Sequence, residues 1–472
     1  MKLKRLYIHT IGCQMNVYDS EQIAMQLAAI GYEQTATLDD ADLIIVNTCT
    51  VRAKAEQKAF SFLGRLAKIK RYKKRLIIGV GGCVAQQEGH RILERMPAID
   101  LVFGTQAIER LPHLIQQIES RHCRIVDVDM AERADIPDSF VGQQEPLQVS
   151  KFVTIMRGCD NYCAYCVVPF VRGRETSRQP ESITREIKAL VAKGVKEVTL
   201  LGQNVNSYGK NQNLGSFAEL LAMINEVEGL VRIRFTTSHP KDLGTDLISG
   251  FKDIGKLCSH IHLPVQSGSN RILKRMNRNY TREQYLDKIT ELRDTCPQIA
   301  ITSDIIVGFP GETEIDFDQT LQLVETVEFD GLFAFQYSDR PPAPAVKLPD
   351  KISTSIISNR LQVILAFQDQ LTRSKNQQLV GSTQQVLTDG LSKKEAVGGP
   401  AGGDPSLQWT GRTSTNKIVN FYVDASTSNS LNLTGKMVGV HIDEGYSHSL
   451  SGRAVNLEPS LRGLKGVENY AA

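Results

Sequence analysis

Residues 156–178 read MRGCDNYCAYCVVPFVRGRETSR, and three of the chain's nine cysteines fall there, Cys159, Cys163 and Cys166, spaced C-x3-C-x2-C. Thiolates this close allow three readings. A disulfide strands one of them and needs an oxidising compartment. A structural zinc wants a fourth Cys or His nearby, usually from a second Cys-x2-Cys pair, and the next histidine is as far on as His239. A 4Fe-4S cluster held through three of its irons takes the three thiolates as they stand and leaves one iron open to an outside ligand. The spacing favours the cluster.

Downstream, strand-like runs recur at 152–156, 198–201, 233–236, 260–265, 299–307 and 332–337, with helical segments such as 217–227, 282–293 and 314–327 between them. Six strands are too few for an eight-stranded barrel, which typically takes about 250 residues. The expectation is a partial (β/α)6 barrel. Unusual polar residues follow the strands: Gln203, Asn204 and Asn206 in LLGQNVNSYG, Ser238 and His239 in TTSHP, Gln266, Ser267 and Gly268 in HLPVQSGSN, and Gly308, Pro310 and Gly311 in VGFPGET. Taken singly, each is a good turn former. Collected at one barrel rim, where such folds keep their active sites, they are candidates for binding a cofactor and substrate.

Upstream, residues 1–125 alternate strands (5–11, 43–46, 76–80) with helices: one opened by Ser20 and stopped by Gly31, then 53–68 and 85–95. That pattern implies βαβ units and a parallel sheet. Cys13, Cys49 and Cys83 each lie two or three residues past one of these strands, at the edge where open parallel sheets bind ligands. Their convergence into a second cluster site is therefore expected, against the plainer reading of three buried small hydrophobes. Cys123, Cys258 and Cys296 have no such register and read as inert.

The full chain of 472 residues exceeds one core and calls for two to four domains. We read a linker at 126–150, a barrel domain at 151–375 and, from 376 to 456, short β-like runs (385–387, 418–423, 437–442) that make a small all-β barrel. Residues 395–406 are a low-complexity loop. Residues 457–472 read as a disordered tail. The formal net charge of +3 argues for no polyanionic partner by itself. Seven of the eleven residues 65–75 are basic, however, and Arg271, Lys274, Arg275 and Arg278 form a second run. MKLKRLYIHTIG holds no signal-peptide core, and no window approaches 18 apolar residues. A cytoplasmic protein with reduced thiols is expected.

The motifs GCQMNVYDSE, NTCTVRAKAEQK, GCVAQQEG, RGCDNYCAYCVVPFVRGRETSR, LLGQNVNSYG, HLPVQSGSN, GFPGET, GRTSTNKIVNF and SHSLSG span nearly the whole chain. Together they resemble the methylthiotransferase family of radical S-adenosylmethionine (SAM) enzymes, and most closely the members acting on N(6)-isopentenyladenosine beside the tRNA anticodon. The resemblance implies an α/β chain with an N-terminal methylthiotransferase domain, a radical SAM barrel and a C-terminal OB-like TRAM domain. It implies a 4Fe-4S cluster on Cys159, Cys163 and Cys166 that cleaves SAM to a 5′-deoxyadenosyl radical, which removes hydrogen from carbon 2 of the adenine. A second 4Fe-4S cluster on Cys13, Cys49 and Cys83 would carry the sulfur that a second SAM methylates.

Tyr165, Gln203, Ser238, Gln266 and Gly308 are then candidates for SAM. Lys70, Arg71, Lys73 and Lys74, with the TRAM domain, are candidates for the anticodon arm. Further expected partners are an electron donor such as a flavodoxin or ferredoxin and a sulfur source or iron–sulfur carrier protein, acting on a monomer with no membrane contact. The competing readings are methylthiolation of threonylcarbamoyladenosine or of a ribosomal-protein aspartate, and a non-catalytic RNA-binding protein with one structural metal site. One loop departs from the family pattern: YSDRPPAPA (337–345) stands where YSxRPGTPA is usual, so Pro342 and Ala343 stiffen it and remove a hydroxyl.

Overall fold

The apolar runs ahead of the cysteine loop build a six-stranded sheet in a computed structural model that describes residues 3–50, 53–131, 148–392, 407–423 and 432–455. Its strands are β1 (Lys4–Ile11), β2 (Tyr32–Gln34), β3 (Leu43–Thr48), β4 (Ile77–Gly82), β5 (Leu101–Phe103) and β6 (Ile125–Asp127), in the order 2-1-3-4-5-6 and all parallel. β3 is buried along its whole length, which is why it reads as an unbroken apolar run. Leu6, Ile45 and Phe103 pack on the helices Gln14–Ala28 and Leu111–Arg121, while Ile44, Val46 and Ile78 pack on Ala53–Tyr72 and His90–Arg95 across the sheet. Two expectations change. β3 and β4 run two residues further than their apolar cores, and the helix expected at 85–95 is two helices, Cys83–Glu88 and His90–Arg95, broken at Gly89, whose φ is +48°.

The next domain contains β7 (Ser150–Thr154), a short antiparallel ribbon of β8 (Met156–Arg157) and β9 (Thr176–Ser177), then β10 (Glu197–Leu201), β11 (Arg232–Phe235), β12 (His260–His262), β13 (Ala300–Val307) and β14 (Gly331–Gln336). β7, β10 and β11 form one parallel sheet and β12, β13 and β14 another, joined by a parallel bridge from Ile233 to Leu257. The result is an open six-stranded (β/α) barrel. Helices Phe217–Asn225, Arg282–Thr295 and Glu314–Val327 cover it near their expected positions. Among the described residues no helix is long and apolar enough to cross a membrane.

Helix Thr354–Gln377 leads to a closed barrel of β15 (Thr383–Leu391), β16 (Gln408–Thr413), β17 (Ile418–Tyr422), β18 (Met437–Gly445) and β19 (Leu450–Val455). The low-complexity loop 395–406, the tail 457–472 and linker residues 132–147 lie outside the described residues. Two arginines fix where the small barrel sits. Arg232 donates to the carbonyls of Arg412 (2.6 Å) and Gln385 (3.0 Å), and Arg234 to those of Thr413 (2.6 Å) and Ser414 (2.9 Å). Lys417 reaches Asp330 at 3.2 Å. Arg232 opens β11 and Asp330 precedes β14, so the small barrel caps the N-terminal mouth of the large one. The opposite rim is left to the cysteine loop.

Arg234 also pairs with buried Glu197 at 3.0 Å. Removing one partner of such a pair leaves the other charge buried and unpaired. Arg234→Ala is therefore expected to cost about 3–5 kcal/mol in denaturant unfolding, whereas an exposed control such as Lys74→Ala stays within about 0.5 kcal/mol.

Candidate active site

Ladder register brings the upstream cysteines together. Ile11 is level with Thr48, and Thr48 with Gly82, across the adjacent strands β1, β3 and β4. Cys49 and Cys83 follow those residues directly, and Cys13 follows Ile11 by two and caps helix Gln14–Ala28. The turns are too tight for side chains: a Cβ on Gly12 would stand 2.6 Å from the Cys49 Cβ, and one on Gly82, where φ is +90°, 2.3 Å from the Thr48 carbonyl. Beneath them lies a buried polar web. Asn16 donates to Asn47 Oδ1 (2.9 Å) and to the Thr48 carbonyl (3.1 Å), and Asn47 returns a bond to the Asn16 carbonyl (2.9 Å). Asn16 Oδ1 also lies 3.3 Å from the Cys13 sulfur.

The downstream cysteines lie on the loop between β8 and helix Val168–Arg172. Hydrogen bonding to Cys49 brings the Cys13 thiol down to about 6, whereas burial raises Cys83 and pushes Cys159 and Cys166 up to about 12. Cys163 Sγ accepts from Arg278 Nη1 at 3.4 Å and lies 4.0 Å from His239 Nε2. Arg278 also donates to the Pro264 carbonyl at 2.6 Å and to the Tyr165 hydroxyl at 3.3 Å, tying the loop to the far side of the barrel. Burial, then Arg278 and Lys241, bring His239 down to about 2, so its ring is neutral. The two cysteine groups meet: Val167, directly after Cys166, packs with Val171 and Ala343 against Cys83. Ala343 belongs to the loop that departs from the family pattern. Cys123, Cys258 and Cys296 lie apart from both groups.

These residues fit two clusters and SAM. Within each group of three the thiols interact with one another. Three grouped thiolates suit a cluster in which each takes its own iron. Around the barrel rim, buried polar atoms stand without partners: Gln203 Oε1, Asn204 Oδ1, both amide atoms of Asn206, and Ser238 Oγ. Buried polar groups are normally paired, and these atoms have hydrogen-bonding capacity to offer a polar ligand. Thr237 (φ +70°) and Gln266 (φ +74°) hold left-handed backbone beside them, strain of the kind that collects at binding sites. Gly308 differs. A Cβ there would meet Ile357 at 2.4 Å, so its glycine admits the helix Thr354–Gln377.

The basic run at 65–75 lies at the other end of the sheet. Lys70 pairs with Asp100, and Lys73 donates to the carbonyls of Asp39 (2.9 Å) and Ala41 (2.7 Å). Arg71 and Lys74 are exposed, but Lys70 and Arg71 lie in the last turn of the 20-residue helix Ala53–Tyr72, which runs back from the Cys49 edge, and Lys73 and Lys74 follow it, roughly 30 Å away. They sit at the edge of the sheet opposite the thiols. Sequence reasoning also missed two arginines of the site. Arg278 looked like part of a surface run, and Arg172, which meets Asp19 at 2.7 Å, like one more charge in VRGRETSR. Only burial distinguishes them.

This barrel and its cysteine loop are those of a radical SAM enzyme: the family model described as Radical SAM superfamily matches residues 153–324. The solved structure of the radical SAM methyltransferase TsrM from Kitasatospora setae, with tryptophan and aza-SAM bound, shares the fold at a TM-score of 0.55 and 14% identity, over 82% of this chain and 78% of that one. A second model, described as Uncharacterized protein family UPF0004, matches residues 5–104. The tRNA-2-methylthio-N(6)-dimethylallyladenosine synthase of Desulfosudis oleivorans is 53% identical over 97% of this chain and 98% of its own length. That of Syntrophus aciditrophicus is 51% identical over 95% and 94%. The chain belongs to the tRNA-2-methylthio-N(6)-dimethylallyladenosine synthase family.

Glu175, buried near Cys159 and accepting from Ser207 Oγ at 2.7 Å, is raised by burial to about 7. A carboxyl whose pKa rises on folding stabilises fully below its unfolded value, and that stability is lost as pH climbs to the folded value. Between about pH 4.5 and pH 7, wild type is expected to lose unfolding free energy relative to Glu175→Gln. Parallel denaturant titrations at pH 5 and pH 8 check this; an equal difference at both contradicts it.

Proposed function

We propose that the chain converts N(6)-isopentenyladenosine beside the tRNA anticodon to its 2-methylthio derivative, with SAM as both methyl donor and radical source. The observation that carries the reading is the approach of two cysteine triplets, one on a parallel-sheet edge and one at a barrel rim, where Val167, next to Cys166, packs with Val171 and Ala343 against Cys83. The names of the relatives support the substrate. When bound, two 4Fe-4S clusters and SAM supply the radical and the sulfur that an unactivated aromatic C–H demands, chemistry outside the reach of side-chain bases.

The chain's own residues hold and orient. Cys13, Cys49 and Cys83 would hold one cluster, with Asn16 and Asn47 fixing the turns that present them. Cys159, Cys163 and Cys166 would hold the other, with Arg278 fixing Cys163 and Tyr165. The unpaired amides and hydroxyl of Gln203, Asn206 and Ser238 would receive the polar groups of SAM or substrate. The target base must leave its stack to reach this gap, which an anticodon loop permits at low cost. In the second basic run Arg278 is buried and Arg271 is paired with Asp316, so Lys274 is the exposed cation that run offers to phosphate. Arg271 reaches the Gly311 carbonyl at 2.5 Å, past the end of β13 on the reactive rim, and Lys274 beside it is exposed. A flavodoxin or ferredoxin as electron donor, a sulfur source or carrier protein, a monomeric state and a cytoplasmic location complete the reading.

Mass spectrometry of tRNA nucleosides from a deletion strain tests it. The 2-methylthio nucleoside is expected to vanish while N(6)-isopentenyladenosine accumulates, with wild-type protein restoring it and Cys13→Ala or Cys159→Ala failing to. Loss instead of a methylthiolated threonylcarbamoyladenosine, or of a methylthiolated ribosomal-protein aspartate, would reassign the substrate.

A further inference from the structure

The foot of the cysteine loop carries more positive charge than its partners cancel. Arg157 on β8 and Thr176 on β9 stand opposite each other on the two-stranded ribbon and line one narrow cleft. Arg172 and Arg174, on either side of Gly173, line the same cleft, and Thr105 and Gln106 line it from the N-terminal domain. Arg172 is balanced by Asp19 at 2.7 Å and Arg174 by Asp160 at 2.8 Å. No carboxylate pairs with Arg157 among the described residues, and its Nε is buried without a partner. Thr176 Oγ1 is buried and unpaired as well, on a residue only 5% exposed. Buried polar groups are normally paired and buried charge is normally balanced. A water in the cleft would pair Thr176 but leave the third guanidinium charge uncancelled.

We infer that this cleft is a phosphate site and that its ligand is a nucleotide. The cleft holds about 10 Å³, room for one oxygen-sized group. It shares Gln106 and Arg157 with a cavity of about 620 Å³, the size of a small-ligand site. One phosphate oxygen enters between Arg157 and Thr176, the kind of contact a guanidinium fork makes best, and the rest of the nucleotide lies in the cavity. The cavity wall also carries the carboxylates of Glu109 and Asp129. These repel a ligand that is anionic throughout and accept from the hydroxyl and amino groups that a nucleotide carries beside its phosphate. The nucleotide belongs to an RNA chain or is free; the RNA source rests on the proposed reaction, and the site itself does not. Arg157 stands two residues before Cys159, so an RNA nucleotide held here docks the chain at the foot of the cluster loop.

The test uses full-length holoenzyme in two arms, with iron counted first in every variant. Fluorescence anisotropy follows an anticodon stem-loop RNA carrying isopentenyladenosine from about 50 to 200 mM salt. Calorimetry follows uridine 5′-monophosphate, whose base does not mimic the adenine of SAM. For an RNA nucleotide, Arg157→Gln is expected to weaken RNA binding about tenfold and to flatten its salt slope by about 0.7, while Thr176→Val weakens it less and leaves the slope unchanged. For a free nucleotide, wild type binds the mononucleotide, Arg157→Gln abolishes that binding, and RNA affinity is untouched. Unchanged binding in both arms overturns the inference, read on Arg157→Gln or, should that variant lose its iron, on Thr176→Val. RNA that fails to bind wild type counts against the proposed reaction, and the mononucleotide arm then decides the site alone.

Discussion

The account depends on the level register of three neighbouring parallel strands. Because Ile11, Thr48 and Gly82 stand side by side at the ends of β1, β3 and β4, three thiols far apart in sequence emerge at one edge. A one-residue slip of any strand would send its side chains to the other face. The slip is resisted from below by the apolar layers on both faces and at the edge by the Asn16–Asn47 exchange. Glycine is required at Gly12 and Gly82 because the turns bring chain within reach of chain. The sheet is thus built to hold its edge rigid, as a site that must meet a second domain requires.

The second domain meets it partly through polar groups that are buried or half-buried. Lys151 reaches Glu21 at 3.0 Å, Thr105 Oγ1 donates to the Val171 carbonyl at 2.7 Å, and Arg172 meets Asp19. Two of these three contacts use the helix that follows the cysteine loop, so the segment carrying Cys166 also sets the distance between the triplets. The far mouth of the barrel is closed by the small C-terminal barrel through Arg232 and Arg234.

Much of this was legible in the sequence because cysteines and apolar runs speak through period and spacing. The parallel sheet, the six-stranded barrel and the small barrel follow from such signals, and so does the meeting of Cys13, Cys49 and Cys83 at one sheet edge. β2, β5 and β6, with three residues each, are too short to show a period. A count of charges does not tell that Lys70 and Lys73 reach the end of the sheet away from the thiols. Arg172 and Arg278 were passed over for a related reason: a buried arginine and a solvated one are written with the same letter, and only its partners tell them apart.

The central claim is that the chain holds two clusters on two separate triplets. Iron and sulfide content of anaerobically purified protein tests it most directly, wild type beside a Cys13, Cys49, Cys83 triple alanine variant and a Cys159, Cys163, Cys166 triple alanine variant. The account predicts about eight irons in wild type and about four in each variant. About four irons in wild type, falling to none when Cys159, Cys163 and Cys166 are removed, would mean that the sheet edge holds no cluster and would contradict it.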